Sequence, residues 1–298
     1  MKSKLITKVF SIATIASFAL SFAGCAAGAK ATTVNADPAT EAQKTEAQTS
    51  GNANSEVVVL KGIVDLVPHS EIIEHVKPQL EAQGIKIELV ATSADSTTNE
   101  RLNSGEIDFN YFQHLPYLES EITANGYKLA SAGGIHIEPI TAYSDKYDSV
   151  DKIPENAVVA IPNDGTNEYR ALRILEINGF IKLDDKARDS LSASVSDITS
   201  YVKKIKIVEI DSAQIIPTKA DYDFFITNTN KALEAGIKST KLFSEGEDSP
   251  YANIIAVRSE DLEKPAIKAL VAALLSQETQ KWIKDKYNGA VIPVVKVN

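Results

Sequence analysis

The chain has 298 residues, a formal net charge of −9 and a single cysteine. This acidic balance makes the protein a poor candidate for binding nucleic acid, because the phosphate backbone selects basic surfaces. A single cysteine has no partner for an intramolecular disulfide, and the sequence around it does not indicate a catalytic thiol.

The first 24 residues have the organisation of a lipoprotein signal peptide. Three lysines precede an apolar run over residues 9–23, which is shorter than the ~20 residues that a membrane-spanning helix needs. The run ends in Phe22-Ala23-Gly24-Cys25, which resembles a bacterial lipobox with Phe22 where leucine is usual. We predict a signal peptide at residues 1–24 and lipidation of Cys25. The alternative is an ordinary cleaved signal with a stray cysteine.

The segment that follows Cys25 is predicted to be a flexible tether. Residues 26–55 contain no aromatic residue and a single valine, so they cannot bury enough apolar surface to offset the entropy of ordering. A coil of ~30 residues has an r.m.s. reach of ~30 Å. Two acyl chains on Cys25 would give stable membrane attachment. We therefore expect residues 25–55 to hold the folded part at the extracytoplasmic side of a cell membrane.

The rest of the chain alternates predicted strands and helices. Apolar or alternating runs predict strands at residues 57–60, 85–89, 107–112, 128–132, 135–143, 158–161, 205–210, 223–226 and 254–257. Apolar periodicity and capping residues predict helices at residues 70–84, 99–104, 116–125, 167–178 and 267–283. Pro78 should kink or end the first helix. This order predicts an α/β fold with mixed, mostly parallel sheets.

Residues 108–118 are the first candidate site, because they hold four aromatic rings, a histidine and amide groups. Their alternation predicts a strand, and Pro116 suits the first turn of a helix. Phe112 and His114 therefore fall at the carboxyl end of a strand, where α/β sheets bind ligands. The alternative is a core strand with a few surface rings.

Two further strand ends carry polar side chains. Arg170 lies in the first turn of a predicted helix, where its charge opposes the helix dipole unless an anion is bound. Its planar guanidinium suits a carboxylate, although arginine is also a common surface residue. Asn228 follows an apolar strand and could hold an amino group through its side-chain carbonyl. The alternative for such asparagines is helix capping, which we assign to Asn230.

The sequence indicates no metal, cofactor or catalytic site. His69, His75, His114 and His136 lack His-x-His or i, i+4 spacing, and no thiolates accompany them. The chain has no Gly-rich phosphate loop and no nucleophile elbow. Rings, amides and a guanidinium suit the recognition of a small zwitterion, so we expect a binding protein that is not an enzyme.

Seven short motifs occur in a specific order after the predicted tether. They are Pro68-His69-Ser70-Glu71-Ile72, Gly105-Glu106-Ile107-Asp108, Phe112-Gln113-His114-Leu115-Pro116-Tyr117-Leu118, His136-Ile137-Glu138-Pro139, Ile161-Pro162-Asn163-Asp164, Asn167-Glu168 with Arg170, and Asp248-Ser249-Pro250-Tyr251. In this order and spacing they resemble the methionine-binding lipoprotein family (NlpA type), the substrate-binding proteins of methionine ABC importers.

This resemblance implies a two-lobed periplasmic-binding-protein fold with the ligand between the lobes. Lobe 1 would comprise residues 56–135 plus 231–298, and lobe 2 would comprise residues 136–230. Hinges would lie near residues 136–138 and 228–230. The implied partners are an amino acid, the permease and ATPase complex of an ABC importer, and the membrane that holds the lipid anchor.

The family's binding residues carry over to five positions by motif. Phe112, His114 and Tyr117 would line the pocket for the ligand side chain. Arg170 would hold the α-carboxylate, and Asn228 would hold the backbone of the amino acid.

Two positions depart from the family pattern. Asp95 stands where the family commonly has an aromatic residue, and Val67 replaces a glycine before Pro68. Asp95 could receive a polar or cationic side chain or the amino group of a dipeptide, or it could lie in a solvated loop outside the cleft. We expect a binding protein for an amino acid, first of all methionine. A methionine-containing dipeptide or another amino acid is the alternative ligand, and a surface adhesin or interaction module is the alternative class.

Overall fold

The computed structural model of this chain describes residues 57–95, 97–188, 190, 193–246 and 249–297. The predicted signal peptide, the lipidation site at Cys25 and the tether lie outside the described residues. Within those ranges, no helix is both long enough and apolar enough to cross a bilayer.

Strands and helices alternate along most of the described chain. The strands are β1 (Val58–Val64), β2 (Ile85–Ala91), β3 (Phe109–His114), β4 (Leu129–Ile137), β5 (Thr141–Ser144), β6 (Ala157–Pro162), β7 (Ile181–Leu183), β8 (Ile198–Tyr201), β9 (Ile205–Ile210), β10 (Phe224–Thr227), β11 (Thr240–Ser244), β12 (Ala252–Arg258) and β13 (Ile292–Pro293). The α-helices are α1 (His69–Glu81), α2 (Thr97–Asn103), α3 (Leu115–Asn125), α4 (Gly165–Ile177), α5 (Asp185–Arg188), α6 (Ser212–Ile215), α7 (Thr229–Glu234), α8 (Pro265–Leu274) and α9 (Gln277–Tyr287).

The strands form two mixed sheets and a small hairpin of β7 and β8. The first sheet has the order β13-β4-β12-β3-β1-β2, and the second has the order β11-β5-β10-β6-β9. Parallel pairs join β1 to β2 and β3, and β6 to β9 and β10. The prediction of mixed sheets is confirmed, but the expectation of mostly parallel strands is wrong. Strands β5 and β12 enter directly from the connections between the sheets, so they run antiparallel to their neighbours.

Each sheet packs its own helices over a separate apolar core. Helices α1, α8 and α9 cover the first sheet and bury Phe109 and Tyr111 completely. Helix α4 covers the second sheet, where Phe224 and Phe180 are buried. Strand β3 ends at His114 and strand β10 is followed by Asn228, and both of these residues line one cavity.

Two predicted helices differ from the structure. The long helix expected at residues 267–283 is two helices, because α8 ends at Leu274 and Ser276 begins a new N-terminus by accepting a hydrogen bond from the backbone N–H of Thr279 at 3.1 Å. Pro78 lies inside α1 without ending it, because the helix continues to Glu81 and keeps Leu80 in the core.

The expected lobe boundaries stay a prediction, and the sheets differ from them at two places. Residues 136–137, in the predicted lobe 2, complete strand β4 of the first sheet. The predicted lobe 1 includes residues 240–244, but these residues form strand β11, which pairs with β5 and belongs to the second sheet. Strand β4 belongs to the first sheet and β5 to the second. The chain therefore passes between the sheets at residues 138–140, close to the expected hinge.

Candidate functional site

A cavity of about 140 Å³ lies where strand ends from both sheets meet. Four of the predicted site residues, and the possible specificity position, are in its lining: Phe112, His114, Tyr117, Asn228 and Asp95. The rest of the lining is Asp65, Ala94, Gln113, Glu138, Asn167, Ser212, Asn230, Lys231 and Asn253. Polar groups from several elements therefore converge on one cavity, as expected of a small-molecule site.

Strand β3 and helix α3 build the aromatic wall of the cavity. Phe109 and Tyr111 point into the core, which leaves Phe112 half-buried at the cavity. His114 caps α3 by accepting the backbone N–H of Tyr117 on Nδ1 at 3.2 Å. The rings of Phe112 and Tyr117 lie 6.2 Å apart in an edge arrangement. The cap therefore fixes the wall, because it sets the direction of both His114 and the first turn of α3.

Asn167 is the central hydrogen-bonding residue of the site. Its Oδ1 accepts from Nδ2 of Asn228 at 3.0 Å and from Nη1 of Arg170 at 3.1 Å, and it lies 3.3 Å from Nε2 of His114. Its Nδ2 donates to both carboxylate oxygens of Asp164 at 3.0 Å. The sequence analysis named Asn167 at the start of a predicted helix and in a family motif but not as a site residue. Its position in the first turn of α4, beside a strand end, was the signal that could have found it.

Arg170 is buried next to the site but is not in the lining of the cavity. Its Nε donates to Oε1 of Glu245 at 2.9 Å, and its Nη2 donates to Oε2 of Glu245 at 2.5 Å and to the backbone oxygen of Glu138 at 2.8 Å. With the bond to Asn167, four of the five N–H donors of the guanidinium are used. The anion that the sequence argument assigned to a ligand is therefore supplied at least in part by Glu245.

Neither of the two asparagines after β10 caps a helix with its side chain. Asn228 is at the N-cap position of α7, but its side chain makes no capping bond and points to Asn167. Asn230 lies inside α7, where its Nδ2 donates to Asp65 at 2.8 Å. The assignment of Asn230 as a helix cap is wrong, because α7 begins at Thr229 and its N-cap position is Asn228, so Asn230 already lies within the helix.

Charged and amide groups form the floor of the cavity. Lys231 pairs with Asp65 at 3.1 Å. The backbone N–H of Asn230 donates to Oε2 of Glu138 at 3.0 Å. Sequence reasoning missed Asp65, Glu138 and Lys231, and also Asn253, because they come from distant parts of the chain and only the packing of the sheets brings them together.

Two buried histidines and Glu138 form a cluster under this floor. Nε2 of His136 lies 2.7 Å from Oε1 of Glu138, and Nε2 of His69 lies 3.1 Å from Oδ1 of Asn253. Tyr111 bonds Nδ1 of His136. The ligand atoms of the three ionisable residues lie within 4.8 Å of one another, which is metal-site spacing that no sequence motif revealed. Hydrogen bonds inside the cluster already account for these atoms, except for Nδ1 of His69, which has no partner among the described residues.

Burial controls the ionisation of these groups. Burial, followed by the positive charge of Arg170, lowers the pKa of His114 to about 3. Burial also lowers the pKa of His136 to about 3 and lowers the pKa of His69. Burial raises the pKa of Glu138. At neutral pH the histidines of the site are therefore uncharged hydrogen-bonding groups, which suits recognition better than proton transfer.

Asp95 lies at the exposed mouth of the cavity and not in a loop outside it. Its Oδ1 accepts from the backbone N–H of Thr97 at 2.9 Å and from the hydroxyl of Thr97 at 2.6 Å. Its Oδ2 has no hydrogen-bond partner within the described ranges. One oxygen therefore orders the start of α2, and the other is available to solvent or to a ligand.

Most of the described chain matches the model of a known protein family. The model of the NlpA lipoprotein family matches residues 62–295. The chain belongs to the NlpA lipoprotein family. The NlpA match includes β3, α4 and β10, the elements that carry the predicted site residues.

Relatives of this NlpA family chain include proteins named for methionine. The methionine-binding lipoprotein MetQ of Bacillus subtilis (strain 168) is 36% identical over 235 residues, which is 76% of this chain and 85% of that protein. The crystal structure of a putative lipoprotein from Ruminococcus gnavus has a TM-score of 0.76 and 40% identity, and the match covers 80% of this chain and 99% of that chain. A nutrient-binding protein from Burkholderia cenocepacia, solved bound to methionine, has a TM-score of 0.75 and 37% identity over 79% of this chain and 100% of that chain. The predicted substrate-binding-protein fold is confirmed.

Proposed function

We propose that this protein is a lipid-anchored, extracytoplasmic substrate-binding protein that captures methionine and delivers it to the permease and ATPase complex of an ABC importer. The observation that carries the proposal is the cavity between the two sheets, where Phe112, His114, Tyr117 and Asn228 converge. The methionine-bound relative and the MetQ relatives support methionine as the ligand.

The cavity offers a distinct partner for each part of an amino acid. The rings of Phe112 and Tyr117 would contact the thioether, because sulfur and aromatic rings attract each other. The amide of Asn228, held by Asn167, would contact the backbone of the ligand. Arg170 would reach the α-carboxylate with its remaining Nη1–H donor, while Glu245 holds the rest of the guanidinium in place.

Attachment to the membrane is the second part of the proposal. Cys25 follows an apolar run that ends in small residues. The family to which the chain belongs is a lipoprotein family. Lipid on Cys25 and the tether would keep the binding domain near the importer. We propose no cofactor and no catalytic step, because the lining consists of groups that recognise a zwitterion: rings, amides and neutral imidazole.

Binding of free amino acids to ligand-free protein tests this function. The protein is unfolded to remove carried-over ligand, refolded and titrated calorimetrically with L-methionine, D-methionine, methionine dipeptides and basic amino acids. We expect binding in the methionine series, and a loss of at least about tenfold in Asn228→Ala, since one lost hydrogen bond to a charged group costs ~1.5–3 kcal/mol. Asn125→Ala, at the exposed end of α3, is the control and should bind like the wild type. Absence of binding to every amino acid in a folded sample would reject the proposal.

A further inference from the structure

The mouth of the cavity combines two aromatic rings with a carboxylate. Phe112 and Tyr117 are half-buried and stand with their centroids 6.2 Å apart. Asp95 lines the same mouth and contributes one oxygen that has no hydrogen-bond partner among the described residues. Burial, and then the charges of Glu121, Asp164 and Asp95, raise the pKa of Tyr117. Asp95 and the two rings therefore line one cavity.

The other charges of the cavity already have partners. Lys231 neutralises Asp65 at 3.1 Å. Glu138 accepts two hydrogen bonds, and its raised pKa favours the neutral form. The charge of Asp95 contributes to the raised pKa of Arg101, but the guanidinium of Arg101 pairs with Glu106 at 2.6 Å. Among the described lining residues, Asp95 is thus the acidic residue that has neither an ion pair with a cation nor a hydrogen bond from a buried donor.

Rings beside an uncompensated carboxylate favour a cation at the end of the ligand side chain. The face of an aromatic ring attracts a cation, and methylated onium groups bind in sites lined by such rings. An ammonium group would need acceptors for three N–H donors. A methylated cation has no N–H donors, so it loses less on leaving water.

We infer that the site favours, over a neutral side chain of the same shape, an amino acid whose side chain ends in a methylated cation, a sulfonium or quaternary ammonium group, held by Phe112, Tyr117 and Asp95. This inference rests on the proposed function, because it assigns the side-chain end of the same amino-acid site. Methionine fits the same rings as a neutral thioether, and the positive charge adds the attraction of Asp95.

The test compares a cationic ligand with its neutral copy of the same shape. S-methyl-L-methionine carries a dimethylsulfonium, and 2-amino-5-methylhexanoic acid has a carbon in place of that sulfur. Both are titrated, with L-methionine, into refolded wild type and into Asp95→Asn. Asparagine keeps an acceptor for the N–H of Thr97, so α2 should stay ordered. The matched control is Asp151→Asn, which removes an exposed carboxylate outside the lining of the cavity.

We expect wild type to bind the sulfonium roughly three- to tenfold more tightly than the neutral copy, as one exposed cation–π contact and one exposed ion pair allow. This preference should weaken by about twofold or more in Asp95→Asn, where the cation–π contact with the rings remains, and it should persist unchanged in Asp151→Asn. Equal affinities in wild type would overturn the inference and leave the proposed function intact. A preference of the same size in Asp95→Asn and wild type would overturn the role of Asp95. Absence of binding to all three amino acids would overturn the proposed function as well.

Discussion

At the scale of single residues, the hydrogen bonds of Asn167 and Arg170 differ from those that local sequence suggests. Arg170 has the chemistry of a carboxylate ligand, yet most of its donors are held by Glu245 and by a backbone oxygen. Asn167 has an ordinary place in the first turn of a helix, yet it joins His114, Asn228 and the guanidinium. The partner that decides each role comes from a distant segment, so neighbouring residues could not reveal it.

Arg170→Lys separates ligand binding from stability at this position. Removal of the charge in Arg170→Ala would leave Glu245 unpaired and should cost about 3–5 kcal/mol of unfolding free energy. Lysine keeps the charge but loses the planar fork, so we expect amino-acid affinity to fall at least about tenfold in a folded protein. Calorimetric titration measures the affinity, and chemical denaturation checks the fold.

Arg173→Lys is the matched control for this change. Arg173 lies one turn further along α4 and pairs with Glu176, outside the lining of the cavity. Its affinity for the amino acid should match that of wild type. If Arg170→Lys also binds like wild type, the guanidinium does not contact the ligand, and Arg170 has only a structural role.

At the scale of elements, strand β3 and helix α3 follow closely from the sequence. The alternation of Phe109, Asn110 and Tyr111 gave the strand, and Pro116 gave the helix start. The C-terminal segment did not follow in this way. Its apolar periodicity continues across Leu275 and Ser276, so the pattern predicted one helix where the structure has α8 and α9. A capping residue inside an apolar pattern is weak evidence until packing requires a turn.

Ser276→Ala should destabilise the protein without changing the site. The serine hydroxyl accepts the backbone N–H of Thr279, and loss of such a cap costs about 1 kcal/mol. Urea denaturation should show this loss, with amino-acid affinity unchanged. Ser276→Asp should retain wild-type stability, because aspartate caps as well as serine does. Equal stability of Ser276→Ala and wild type would mean that the start of α9 depends on packing and not on the cap.

At the scale of the whole molecule, Glu138 forms hydrogen bonds to residues on both sides of the passage between the two sheets. Its carboxylate accepts from His136 of the first sheet and from the backbone of Asn230 in α7. Its backbone oxygen accepts from Arg170 of α4, which packs on the second sheet. The residue sits at the passage between the sheets and in the lining of the cavity. We propose that lobe movement around this passage accompanies ligand binding.

The pH dependence of stability tests the buried state of Glu138. Burial raises its folded pKa above the ordinary value of 4.5. Its contribution to the free energy of unfolding is therefore fully present below pH 4.5 and is lost as the pH rises through the folded pKa. Glutamine cannot ionise. Its side-chain N–H can donate to Nε2 of His136 when the proton of the imidazole is on Nδ1. We expect Glu138→Gln to gain stability relative to wild type as the pH rises above 4.5.

Denaturation midpoints at a series of pH values measure this difference. Glu119→Gln, an exposed carboxyl on α3, is the control, and its profile should run parallel to that of wild type. A parallel profile for Glu138→Gln as well would mean that Glu138 titrates alike in the folded and unfolded states. The hydrogen-bonded cluster would then not hold a buried carboxyl with an altered pKa.

The sequence by itself determined the alternation of strands and helices, the NlpA family and the aromatic wall at Phe112, His114 and Tyr117. These depend on periodicity, turn chemistry and motif order, which are local properties of the chain. Only the tertiary structure decided that Glu245 pairs with Arg170 and that β11 belongs to the second sheet. Burial of a charge requires a partner, and the partner is chosen by how the sheets pack and not by the residues beside it.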